Sequence, residues 1–414
     1  MRQVKIYEKK IFLLISLFIP IISLFIGFIW NEDLSTGGSS WDFNLTWSVI
    51  QNYANFNFFG AAEFTRHVPL HYIFLSFIYN LTNDQYLVRI FYLFFSLLLP
   101  IFLYLNLIKI YNYNKLGIFL FSFSLLFLPY FRATAIWPNA HLTAVIFLVI
   151  SNFFFLKSIN KQSTYFRYLN LFFLALATYS LQTYVLLFAY YLINYFYSEK
   201  ISNFIKLFLF CCLMGLPGLY FIGLNERIAH ISITPNLFNN ITINFSIMFF
   251  YFVFFLFNKQ NILLVVNELK NIKKLDFFFL ILIFIFIVYN LDQSILSSRY
   301  RGGGFFYKAS HFLFKNNIIF VVSFFFGLLV SYLLIKENHK ILYVIILMNL
   351  LALNFHIYQK YFEPLFLIMI MILFKSSLVK NILLNIKNIL FFYVILICYF
   401  LTSYVNQIYK FSFL

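Results

Sequence analysis

An all-α, polytopic membrane bundle is the fold class this sequence predicts, and three observations predict it. Of the 414 residues, 63% are hydrophobic and only 10% are charged. Apolar runs recur from residue 11 almost to the C-terminus, and the lysines fall between those runs instead of within them. A spanning helix needs about 20 apolar residues, and in lipid each backbone polar group must be satisfied inside its own segment, so runs of this kind read as membrane helices. The 63 phenylalanines, with abundant Ile, Asn, Lys and Tyr, have the look of codon bias in an AT-rich genome and are assigned no function. The net charge of +17 is scattered, with no basic tract, and so points to membrane topology and not to nucleic acid. Cys211, Cys212 and Cys398 sit inside apolar runs without metal-ligand spacing and read as buried spectator thiols.

The first run, 11–30, follows Lys9 and Lys10 and lacks a small-residue cleavage site, which makes it an uncleaved anchor. The others are 86–108, 116–130, 140–156, 168–180, 182–197, 206–223, 243–258, 277–290, 317–335, 341–354, 364–374 and 388–404. Together they predict thirteen crossings with the N-terminus inside, a parity that places 18 of the 22 lysines on the inner face. That parity requires residues 68–81 not to span. These fourteen residues, with Pro69 second among them, in "HVPLHYIFLSFIYNL", suit an interfacial or re-entrant helix. The outer loops are then 31–67, 131–139, 224–242, 291–316 and 355–363.

Arginine does not follow lysine. Six of the eight arginines (Arg66, Arg89, Arg132, Arg227, Arg299 and Arg301) and six of the seven histidines lie on the outer side in this topology. Taken singly, each arginine could be a snorkelling anchor. As a set they favour an anionic ligand at the outer membrane face, because guanidinium binds phosphate or carboxylate through two parallel bonds and ammonium does not.

The first outer loop concentrates Glu32, Asp33, Asp42 and Glu63 in a chain with only 13 acids. In "WDFNLTWSVIQNY", Trp41, Leu45 and Val49 fall near one helical stripe, which predicts an amphipathic helix lying along the membrane with Asp42 at its start. Asp42 then has two readings, a first-turn acid or a catalytic base; Asp33 is a weaker candidate base, and Glu32 reads as a solvated loop charge. "RATAIWPNAH" adds Arg132, Trp137, Asn139 and His141. In "DQSILSSRYRGGGFFYKASHF", Arg299 and Arg301 stand before three glycines, with Lys308 and His311 following. That is an anion-binding pattern without the Gly-Lys-Ser/Thr of a nucleotide loop. "HIYQKYFEP" carries His356, Lys360, Tyr361 and Glu363. His67 and His71 are four apart and would share a helix face, but the sequence supplies no clear third metal ligand.

The order of these pieces resembles the GT-C superfamily of polyprenyl-phosphate-sugar glycosyltransferases, such as the protein O-mannosyltransferases and the lipid A aminoarabinose transferases. That family has an acidic first outer loop, an H-P-P-L-Y-Y-like motif on a juxtamembrane helix and an arginine opening the next span. Here Asp42, "HVPLHY" from His67 to Tyr72, and Arg89 stand in those places; "YFRATAIWPNAHLTAVIFLVI" and the late "YQKYFEP" look similar to further family segments. The likeness covers roughly residues 10–200. It departs where the usual Asp-Glu pair is Asp42-Phe43, where the first motif proline is Val68, and where Asn139 stands near the place of a second-loop acid.

The resemblance implies a bacterial inner-membrane enzyme with a periplasmic active site. Residues 1–200 would form the catalytic module with its outer loop at 31–85, and 201–414 a second module with the loop 291–316. The donor would be a polyprenyl-phosphate-linked sugar and the acceptor a glycan, lipid or protein, within membrane lipid and without nucleic acid. Asp42 or Asp33 would act as base. Arg66, His67, His71, Arg89, Arg132, His141, Arg299, Arg301, Lys308, Lys360 and Tyr361 would bind donor phosphate or substrate. The departures leave the need for a divalent metal open. The leading rival is an O-antigen-type polymerase or ligase built on the Arg299 loop. A lipid-linked oligosaccharide flippase or transporter is a third class, and the internal repeats and mid-membrane charges it predicts are not seen.

Overall fold

The computed structural model describes residues 18–34, 38–58, 68–224, 237–292, 303–339, 341–350, 357, 359–373 and 375–409, and among these it is helical with no strand. In chain order the helices are α1 (Phe18–Ile29), α2 (Ser39–Ala54), α3 (Leu70–Thr82), α4 (Gln85–Ser96), α5 (Leu98–Tyr111), α6 (Lys115–Phe123), α7 (Pro129–Ile136), α8 (Ala140–Lys161) and α9 (Thr164–Ser180). They continue with α10 (Leu187–Ser198), α11 (Ile201–Leu224), α12 (Leu237–Leu256), α13 (Lys259–Lys270), α14 (Lys274–Tyr289), α15 (Gly304–Phe314), α16 (Ile318–Glu337), α17 (Ile341–Leu350), α18 (Leu365–Ile368), α19 (Ser377–Leu383) and α20 (Ile386–Tyr409).

Among the described residues, six helices are long and apolar enough to cross a membrane: Gln85–Tyr111, Ala140–Lys161, Ile201–Phe221, Leu237–Leu256, Ile318–Glu337 and Ile386–Ile408. Two bent pairs raise the number to eight if each is one span: Lys115–Phe127 with Pro129–Ile136 at 71°, and Gln359–Leu373 with Ser377–Leu383 at 87°. The thirteen apolar runs therefore do not become thirteen long helices among the described residues. Hydropathy counts apolar residues and is blind to where a helix breaks. The run at 116–130 shows the cause: α6 tightens into a 3-10 turn at Ser124–Phe127, Leu128 is extended, and Pro129 opens α7 at a position where a missing N–H costs nothing. Residues 70–82 form a 13-residue helix, too short to cross.

The chain forms two compact units. One holds residues 18–182 together with 382–409, the other 183–381, so α20 returns to the first unit, an arrangement that a linear division at residue 200 does not contain. In the first unit, helices are joined by buried amides. Asn106 Nδ2 donates to Val149 O at 2.9 Å and Asn152 Nδ2 to Asn106 Oδ1 at 3.0 Å. Asn170 Nδ2 donates to Ser151 Oγ at 2.7 Å. Such bonds hold helices together in lipid, where burial of apolar area gives no driving force. α20 packs through Phe392 on Phe121 (4.8 Å) and Tyr393 on Phe127 (5.2 Å).

The α4–α5 span and α8 run in the same direction. Tyr92 meets Thr143 near their starts, and Asn106 meets Val149 further along. Arg89 and Lys109 therefore sit about 30 Å apart along one helical span, the thickness of a bilayer's hydrocarbon core.

In the second unit, α12 crosses α16 closely. Ser246 Oγ lies 2.7 Å from Ser323 Oγ, and one turn later a Cβ on Gly327 would collide with the Phe245 carbonyl. Gly327→Ala is expected to lower stability by about 2 kcal/mol, read as a lower melting temperature of the purified protein in detergent. The cysteines are a correction. Cys211 is half-buried while Cys212 and Cys398 are exposed, because a helix facing lipid gains nothing by turning a small apolar side chain inward.

Candidate functional site

The site is assembled at the end of the first unit where α2, α3, α4 and α7 come together. Asp33 starts it. Its carboxylate accepts from Ser39 N at 3.1 Å, Ser40 N at 2.8 Å and Ser40 Oγ at 2.6 Å, so it closes the N-terminus of α2, where negative charge is favoured. That bonding gives Asp33 a structural task. Asp42 lies half-buried in the first turn of the same helix.

Along α2, Trp41 and Leu45 of the predicted apolar stripe face outward, as a face laid on lipid would, and Val49 faces inward. Trp41 and Leu45 are 67% and 60% exposed, whereas Phe43, Val49, Ile50 and Tyr53 are buried. Apolarity does not mark the inside of a helix that lies against lipid. What turns α2 is aromatic packing: Phe43 sits 6.2 Å from Trp137, and Trp47 meets Tyr79 edge-on at 5.2 Å. Burial pushes the Tyr53 hydroxyl up to about 12, with Tyr72 adding to the effect.

α3 brings in His71, which is buried. Its Nδ1 lies 2.8 Å from Thr143 Oγ1, and its ring meets Tyr92 edge-on at 5.7 Å. Tyr92 donates to Asn139 O at 2.8 Å and is 2.8 Å from Thr143 Oγ1. Asn139 Oδ1 in turn accepts from His141 N at 3.0 Å and caps α8, leaving His141 half-buried in its first turn. Neither Tyr92 nor Thr143 stood out in the sequence. Both look like ordinary residues of an apolar run.

The two arginines differ in a way that sequence does not show. Arg132 is 1% exposed and pairs through two of its three nitrogens with Glu32: Nε to Oε1 at 2.6 Å, Nη2 to Oε2 at 2.7 Å. Nη1 donates to Ser23 Oγ at 3.0 Å and Leu126 O at 3.4 Å, and Nη2 also to Ser23 O at 2.8 Å. A guanidinium has five N–H groups, and all of them are spent inside the protein. Arg132 is thereby removed from the phosphate-binding set, and Glu32, read as a solvated loop charge, is its buried counter-ion. The readable signal was an acid at the end of the first apolar run in a chain that had a buried arginine to neutralise.

Arg89 is 6% exposed and has no such partner. Nε donates to Ile136 O at 3.1 Å, and the guanidinium lies 3.6 Å from the Trp137 ring centroid and 5.0 Å from that of Phe28. Nη2 is buried without an acceptor, and no carboxylate among the described residues reaches it. Trp137 joins the two arginines: its Nε1 donates to Glu32 O at 3.0 Å while its ring covers Arg89. The result is one neutralised arginine that anchors, and one buried cation with an open donor.

In the second unit, Lys308, Lys360 and Tyr361 are half-buried near one another's elements: Gly303 N donates to Ile357 O at 3.0 Å, and Phe305 N to Gln359 Oε1 at 2.9 Å. Burial lowers the Lys308 ammonium below the ordinary lysine range. Gly303 and Gly304 open α15 with φ of 92° and 75°, conformations that favour glycine. Glu363 is buried and accepts from Tyr251 Oη at 2.8 Å. Arg66, His67, Arg299 and Arg301 lie outside the described residues. Among the described residues, no group of three or more His, Cys, Asp or Glu is placed to hold a metal ion. The chain matches no known family, no curated protein and no solved structure.

Proposed function

We propose that the protein is a membrane glycosyltransferase of GT-C type that moves a sugar from a polyprenyl-phosphate donor to a glycan, lipid or protein acceptor at the periplasmic face of a bacterial inner membrane. One observation carries this reading: among the described residues Arg89 is a buried cation without a carboxylate partner, and its Nη2 is unsatisfied. A charge in that position costs several kcal/mol unless an anion joins it, and a planar guanidinium suits phosphate. Asp42 stands on the helix whose Phe43 packs against the same Trp137 that covers Arg89.

In the reaction, the acceptor hydroxyl oxygen forms a bond to the anomeric carbon as the bond from that carbon to the donor phosphate oxygen breaks. The hydroxyl proton passes to Asp42, and the departing lipid phosphate keeps the electron pair and its negative charge beside Arg89. A fixed cation in a water-poor site stabilises that developing charge more than water does. His71 and His141 lie at the same end of the unit, and Arg66 and His67 belong to the same proposed donor-binding set; Arg299, Arg301, Lys308, Lys360 and Tyr361 are proposed as a substrate-binding set of the second unit. The thirteen-crossing topology belongs to this proposal, and a divalent metal is the one cofactor it leaves room for.

The test is glycan and lipid-linked sugar analysis in a deletion strain carrying either wild type or Asp42→Asn at matched protein levels. Loss of one sugar that only wild type restores is the expected result. Full complementation by Asp42→Asn makes Asp42 a helix-start residue and moves the reading to a polymerase or ligase centred on the Arg299 loop.

A further inference from the structure

At the opposite end of the same spans a second charged cluster is held in place. Lys109 closes α5, and Lys157 and Lys161 close α8. Lys109 Nζ and Lys157 Nζ lie 5.4 and 4.6 Å from the ring centroid of Phe153. Lys157 and Lys161 share Phe166 at 5.2 and 5.9 Å, and Lys157 also touches Phe154 at 5.8 Å. Three ammonium groups thus converge on three aromatic rings. An aromatic face attracts a cation but leaves its charge in place.

Among the described residues nothing supplies the missing negative charge. From residue 85 to 198 the sequence contains no Asp or Glu, and among the described residues no carboxylate pairs with any of the three lysines. Topology alone asks only that lysines stand beyond the ends of spans. Here they are gathered on shared rings against their mutual repulsion, at the level where a span that begins near Arg89 leaves the hydrocarbon core.

We propose that Lys109, Lys157 and Lys161 form a binding site for the phosphate of an anionic phospholipid headgroup in the inner leaflet, with the Phe153, Phe154 and Phe166 rings packing beside the acyl-chain neck. The position fixes the source: the site lies at the membrane boundary, where lipid phosphate is abundant and each nearby lysine strengthens attraction to an anionic surface about fivefold. The proposal is independent of the chemistry at the other end of the unit.

The experiment uses the full-length protein purified in detergent, with native mass spectrometry of bound lipid after addition of phosphatidylglycerol or of zwitterionic phosphatidylethanolamine. Wild type should retain phosphatidylglycerol preferentially, and Lys109→Gln, Lys157→Gln and Lys161→Gln combined should weaken it about 100-fold. The triple Lys→Arg protein, which keeps charge and aromatic contact, should retain the lipid and guards against a folding artefact. Equal retention of both lipids, an unchanged Gln variant, or displacement of the lipid by low millimolar inorganic phosphate overturns the proposal; the last outcome would make the cluster a soluble-anion site.

Discussion

Arg89→Met should abolish sugar transfer while leaving the fold as stable as wild type or more so. The two expectations come from the same observation. The guanidinium is buried, and among the described residues Nη2 has no acceptor and no carboxylate offsets the charge. Replacing buried charged groups by well-packed apolar ones is neutral or stabilising by about 1 to 4 kcal/mol. Against this stand the Nε bond to Ile136 O and the contact with Trp137, together worth about 1 to 3 kcal/mol. The balance is close to zero or favourable. Activity is a different matter, because losing a donor aimed at developing charge costs about 100- to 1,000-fold in rate. Arg89→Lys keeps the charge but not the fork or the stacking plane, and should lose at least about tenfold. Measured together, the melting temperature in detergent and the transfer rate separate this role from a structural one. A variant that melts early and is inactive only in proportion to its unfolded fraction would return Arg89 to the status of an anchor.

Glu32→Gln should do the reverse and unfold the first unit while touching no reacting group. Glu32 is the counter-charge of Arg132, which is 1% exposed and has spent every donor on Glu32, Ser23 and Leu126. Removing one member of a buried pair leaves an uncompensated charge, at a cost of about 3 to 5 kcal/mol. Adding Arg132→Met to Glu32→Gln should recover most of that loss, since the pair as a whole is worth far less than either half without the other. Gly27 offers a second route, because a Cβ there would stand 2.5 Å from Glu32 Oε2 and 2.6 Å from Arg132 Nη2. Gly27→Ala should therefore destabilise with both charges still present. Equal stabilities for the single and double variants in chemical denaturation would show that the pair is not coupled.

How much of this was legible beforehand differs residue by residue. The short helix at Leu70–Thr82 followed from a proline and a count of apolar residues. Arg89 and Arg132 drew attention together, as members of the one set of arginines placed on the outer side. The sequence had no means to say that one was neutralised and the other was not. Glu32 precedes Arg132 by 100 residues, and only the packing of α1 against α7 brings them within bonding distance. Nothing in the sequence marked Trp137 as the residue that donates to Glu32 O and covers Arg89.

The sequence by itself determined the class: apolar helices of a membrane protein, with few charges inside them. Those follow from composition and from the cost of charge in hydrocarbon, which act on each segment separately. Tertiary structure decided which long runs break into short helices and which arginine has a partner. It also decided where Asp33 spends its carboxylate and that α20 closes the first unit. These are relations between segments far apart in the chain. An ion pair or a shared aromatic ring depends on distances of a few ångströms that no single segment encodes.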